Sequence, residues 1–128
     1  MRLNPDCIRD ILLHCEETCA PFVGVRFDCK TSTSMLINGR IYESEETLYH
    51  LMQCDLNRYF TEMRRESPYV CVVMDLEPKA HEFLANIRED SNWNKTKEIA
   101  KSVGSNSLIA LKDIAVKVVA AAIASQLK

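Results

Sequence analysis

Ile8, Ile11, Leu12, Cys15 and Cys19 recur at helical spacing and predict an amphipathic helix at the start of the chain. Local chemistry marks where it begins. Asn4 offers an N-cap oxygen, Pro5 fits the first helical position, and Asp6 lies at the positive end of the helix dipole. The helix is expected over about residues 5–18, stopping ahead of Pro21.

From Phe22 the period changes. FVGVRFDCK alternates apolar and polar positions, TSTS is loop-like, and MLINGRIYES places Asn38-Gly39 between two apolar pairs. Both residues tolerate positive φ, so the step predicts a hairpin, with a short helix at Met35–Asn38 as the competing reading. Ser44 then opens a helix with Glu45 and Glu46 in its first turn and Leu48, Leu51 and Met52 as its inward face. This helix is expected to end near residues 55–58. YFTEMRRESPYVCVVMDLEP reads as two strands around a turn at Glu66-Ser67-Pro68, the second buried on both faces.

After Pro78 the pattern is helical throughout. Ala80, Phe83, Leu84 and Ile87 predict an amphipathic helix over 79–89, and Ser91 or Asn92 caps another that carries Trp93, Ile99, Ala100 and Val103 and stops at Gly104. Ser105 or Ser107 caps a last helix reaching almost to Lys128.

Composition narrows the class. The 128 residues are 47% hydrophobic and 27% charged, which suits one folded domain and argues against disorder. A net charge of −2 means that nucleic-acid binding would have to rest on a local basic patch. The N-terminus lacks a signal-peptide pattern, and the longest uncharged apolar run, Val118–Leu127, is too short to cross a membrane. The expectation is a cytoplasmic protein of a bacterial host with no membrane partner. In that compartment the six cysteines are expected to be free thiols.

Helix, strand material, helix and hairpin, in that order, are the plan of a winged helix-turn-helix domain. The expected fold is therefore α+β: a winged helix-turn-helix-like domain over 1–78 and a C-terminal α-helical extension over 79–128. LNPDCIRDILL (3–13), SEETLYHL (44–51) and LEPKAHEFLANIREDSNWNKTKE (76–98) resemble an uncharacterised winged-helix family, a domain of unknown function carried mainly by phages and prophages. Family members read close to L-T-x-x-G-H-E-F-L in the last block; here Glu77 stands for the threonine and Ala80 for the glycine. The resemblance implies a fold and a genomic setting, not an activity. It also implies a second helix before Ser44, where this chain has MLINGRIYES, which bears on whether the helix-turn-helix is intact.

Within that plan the 44–57 helix would be the recognition helix, with Glu46, Tyr49, His50, Gln53 and Asn57 facing outward, and Arg58, Arg64 and Arg65 would give the wing a small basic cluster. Tyr49, His50, Gln53, Asn57, Arg58, Arg64 and Arg65 are the expected DNA- or partner-binding residues. The last helix is apolar over most of its circumference. Leu108, Leu111, Ala115, Val118, Val119, Ala122 and Ile123 are expected to mediate homo-oligomerisation.

No metal or cofactor is expected, because three histidines and six cysteines occur without C-x-x-C or H-x-x-x-H spacing. His81, Glu82, Glu89 and Asp90 are close in sequence, but Glu82 and Glu89 fall on one polar helix face, so no catalytic residues are assigned. The first functional expectation is a non-enzymatic DNA-binding regulator of phage or prophage type, contacting double-stranded DNA. The alternative is a phage-encoded protein-binding module that inhibits a host defence or transcription protein.

Overall fold

A computed structural model describes residues 1–31 and 33–127. Ser32 of the loop-like TSTS stretch and Lys128 beyond the last helix lie outside the described residues. The elements run α1 (Pro5–Thr18), β1 (Val25–Asp28), β2 (Ser34–Ile37), β3 (Arg40–Glu43), α2 (Ser44–Leu56), β4 (Phe60–Ser67), β5 (Val70–Leu76), α3 (Pro78–Ile87), α4 (Asp90–Ser102) and α5 (Leu108–Gln126). Among the described residues this is an α+β fold of five helices and two small antiparallel sheets, ordered β1-β5-β4 and β2-β3. It divides into two compact units, Met1–His81 and Glu82–Lys128.

In the first unit β5 is the central strand, flanked by β1 and β4. Val25 and Phe27 of β1 and Cys71 and Val73 of β5 are buried, and α1 packs against β5 with Cys7, Ile8, Ile11, Leu12 and Cys15 inward. Each large aliphatic side chain removed from water here contributes roughly 1.5–3 kcal/mol. The turn joining β4 to β5 is Pro68-Tyr69, later than the Glu66–Pro68 turn expected from sequence. The reason is proline's missing N–H: Ser67 can pair with Val70, whereas Pro68 cannot donate to the ladder and starts the turn.

The expected hairpin forms at Asn38-Gly39, both at positive φ (50° and 83°), so the competing helix at 35–38 is not adopted. Its position is set by a buried carboxylate. Asp10, on the inner side of α1 and 3% exposed, accepts hydrogen bonds from the Tyr42 hydroxyl and, at 2.9 Å, from the Asn38 amide. Arg40 bridges the same helix from outside, 3.1 Å from Asp6 and 3.7 Å from Asp10. Burial and the bond to Asp10 push the Tyr42 phenol above its usual range, so it remains a donor.

In the second unit α4 and α5 pack side by side, burying Trp93, Thr96 and Ala100 of α4 and Leu108, Leu111, Ala115 and Val118 of α5. Gly104, at φ 71°, ends α4 in a Schellman arrangement: its N–H donates to Lys101 O and that of Ser105 to Ala100 O. Ser107 caps α5, its hydroxyl accepting from Ala110 N–H.

The Asp10 network yields a stability prediction. Asp10→Ala leaves the Tyr42 hydroxyl without its buried acceptor and is expected to cost roughly 2–3 kcal/mol in urea unfolding, more than Tyr42→Phe, which leaves Asp10 with Asn38 and Arg40.

Candidate functional site

The thirteen residues of α2 carry three carboxylates, Glu45, Glu46 and Asp55, and no lysine or arginine. Ser44, Thr47, His50, Leu51 and Cys54 are buried, which fixes the rotational phase of the helix. The opposite side is then Glu45, Tyr49, Met52 and Leu56, spaced i, i+4, i+7, i+11 and so aligned within about 60°. Tyr49 and Met52 are half-buried, and Leu56 is 72% exposed.

This phase corrects two expectations. Leu48 and Met52 were expected inward and are partly exposed, while His50 was expected outward and is 0% exposed. Thr47, His50, Leu51 and Cys54 form an i, i+3, i+4, i+7 row that the sequence does contain, but two of the four, Thr47 and His50, are not conventional core residues. Full hydrogen bonding is what makes the buried imidazole tolerable. The Asn4 backbone N–H donates to Nε2 at 2.7 Å, so Nε2 must be the unprotonated nitrogen, and Nδ1–H donates to Glu46 O at 2.7 Å. Burial pushes the His50 pKa below the ordinary histidine value and holds the ring neutral. Asn4 also caps α1 by accepting from Asp6 N–H, and its amide donates to Glu46 Oε1. One residue thus joins the starts of both helices.

Of the other expected binding residues, Tyr49, Gln53 and Asn57 follow one another on successive turns of α2 and all are partly exposed. The Tyr49 ring stands edge-on to His50, with centroids 4.9 Å apart, and the Asn57 amide donates to Gln53 O at 2.8 Å. Arg58 is exposed and ends α2 in the same arrangement that Gly104 gives α4: its N–H donates to Asp55 O and that of Tyr59 to Cys54 O. Here, however, the left-handed position (φ 59°) holds an arginine.

The hairpin arginines are internally engaged. Arg64 Nε lies 2.9 Å from Glu62, Arg65 donates to Pro68 O at 3.0 Å, and Arg26 on β1 meets Glu66 at 3.3 Å and Asp28 at 3.7 Å. Of the basic cluster expected for the wing, only Arg64 is offset by a carboxylate; Arg65 is engaged by a neutral carbonyl. Among the described residues no group of three or more His, Cys, Asp or Glu side chains is placed to hold a metal ion. All six cysteines are free, and burial pushes most of them up, Cys29 to about 11, which keeps those thiols protonated.

The family described as "Hypothetical protein (DUF2513)" matches residues 2–106. The chain belongs to that family. No curated protein and no solved structure matches it. The DUF2513 match includes α1 through α4 and ends just before α5.

On α5 the expected oligomerisation residues divide in two. Leu108, Leu111, Ala115 and Val118 are buried by the chain's own atoms on the side of α5 that meets α4, and Val118 also lines the groove between the two helices. Val119 is half-buried, while Ala122 and Ile123 are exposed. No described helix is long and apolar enough to cross a membrane.

Two predictions follow from α2. Because the folded state disfavours protonating His50, the unfolded chain takes up that proton first; the contribution is complete above about pH 6.5 and is lost as pH falls through the depressed folded value. Urea unfolding from pH 7.5 downward is expected to show declining stability below about pH 6.5, with a shallower slope in His50→Gln. Separately, Arg58→Gly relieves the left-handed backbone and is expected to stabilise by roughly 0.5–1 kcal/mol, measured as a higher urea midpoint with unchanged slope.

Proposed function

We propose that this DUF2513 chain is a non-enzymatic protein-binding module that docks through α2. Its target would be a protein surface with an apolar centre and a basic rim. The observation that carries this reading is the outward stripe of Tyr49, Met52 and Leu56 beside Glu45, on a helix whose three carboxylates meet no cation of the same helix. Aromatic residues and methionine are enriched at protein interfaces, and exposed apolar side chains in a row favour burial against a partner. A phage or prophage protein acting in the bacterial cytoplasm on a host defence or transcription factor fits such a surface.

The scaffold is read as winged-helix-like. Sheet order β1-β5-β4, with α2 immediately before the β4–β5 hairpin, supports this, and β2–β3 stands in the chain where a helix-turn-helix has its second helix. The same order supports a second reading, DNA binding through α2 and the β4–β5 wing. Against it stand the carboxylates of α2, which would repel phosphate, and the engagement of Arg64 by Glu62.

The two readings separate by mutation. Immobilised chain is expected to retain a protein from bacterial lysate, with retention lost in Tyr49→Ala and Leu56→Glu and kept in Arg64→Ala/Arg65→Ala. Duplex DNA at about 50 mM salt is expected to give no mobility shift; a shift weakened by the arginine changes would overturn docking in favour of DNA.

A further inference from the structure

The second unit carries a groove between α4 and α5 whose chemistry is the inverse of the α2 face. Its volume is about 350 Å³. Ile99 of α4, Val103 at its C-cap, and Ile114 and Val118 of α5 line it, with Lys95 and Lys117 contributed one from each helix. The nearby carboxylates Glu98 and Asp113 are not among the lining side chains, and no salt bridge among the described residues involves either lysine. Lys95, Ile99 and the C-cap Val103 lie i, i+4, i+8, so this wall runs about 12 Å along the α4 axis, two or more turns of a docked helix.

Helical pairs of this kind accept a third helix that brings an apolar stripe and complementary charge. Such a helix is present on the chain itself. On α2, Tyr49, Met52 and Leu56 form the stripe, with Glu45 in line at one end and the partly exposed Asp55 at its flank near the other, about 80° around the axis from Glu45. We infer that α2 of one copy docks in the α4–α5 groove of a second copy, so that the chain self-associates through an acidic helix and a lysine-flanked groove. This rests on the reading of α2 as a docking face and names a second copy as an occupant of that face. It replaces the expected α5 to α5 contact, since Leu108, Leu111 and Ala115, expected to make that contact, are buried within the chain and do not line the groove.

Complementarity of sign makes the inference testable by charge exchange. Light scattering and sedimentation of the wild-type chain are expected to give a mass that rises above the monomer through the hundreds-of-micromolar range and falls when salt is raised. Lys95→Glu/Lys117→Glu sets an acidic groove against an acidic helix; Glu45→Lys/Asp55→Lys sets a basic helix against a basic groove. Each variant alone is expected to self-associate roughly tenfold more weakly or not at all.

An equimolar mixture of the two variants restores both complementary pairings and is expected to regain association. Recovery in the mixture also demonstrates that both variants fold, and circular dichroism checks each alone. A wild-type chain that stays monomeric at every concentration overturns the inference, as do variants that associate as well as wild type or a mixture that does not recover. If the chain stays monomeric while capture from lysate remains dependent on Tyr49 and Leu56, the self-docking inference falls and the docking reading of α2 stands.

Discussion

The buried carboxylate of Asp10 decides where α2 starts. It draws the Tyr42 hydroxyl and the Asn38 amide onto α1, which anchors both the tip and the second strand of the β2–β3 hairpin. Strand β3 ends at Glu43 and α2 begins at Ser44, so no loop can absorb an error between them. Whatever fixes the hairpin therefore fixes the first turn of α2. The bond from Asn4 N–H to His50 then sets the rotation of that helix and leaves Tyr49, Met52 and Leu56 outward. Polar contacts position this helix, and apolar burial supplies the favourable free energy beneath them.

Local chemistry made much of the fold legible. α1 announces itself through Asn4, Pro5 and a clean apolar row; the hairpin does so through Asn38-Gly39; the Ala80, Phe83, Leu84 and Ile87 row of α3 is buried as its spacing predicts. What the sequence concealed depends on distant partners. The pairing of β1 with β5 joins residues far apart in the chain, and no local pattern encodes it. The phase of α2 was misread because Leu48 and Met52 weigh as core by hydropathy, whereas Thr47, His50 and Cys54 are buried beside Leu51. His50 can go inside only because Asn4, 46 positions earlier, supplies the hydrogen bond. Tyr49 and Gln53 were legible as outward positions, while Met52 and Leu56 were not, since apolar residues on a helix are read as inward by default.

Electrostatics separates two surfaces that sequence order alone would treat alike. α2 carries three carboxylates and no lysine or arginine, and on the β4–β5 hairpin Glu62 offsets Arg64. The unpaired lysines of the α4–α5 groove lie in the other unit. A fold is compatible with several functions, and the distribution of charge over it is what discriminates among them.

Not every carboxylate of α2 argues for docking with equal force. Glu45 and Glu46 lie in the first turn, where they stabilise the helix by opposing its dipole, so folding alone accounts for their charge. The other end of the helix breaks local preference repeatedly. Asp55 places a negative charge near the negative end of the dipole, Leu56 leaves an aliphatic side chain in water, and Arg58 occupies a left-handed position that glycine fills at the end of α4. Each departure runs against the local preference of a helix end. Local rules tend to be broken together where a surface is kept for use. The C-terminal half of α2, more than its acidic start, is where the docking argument has its firmest physical support.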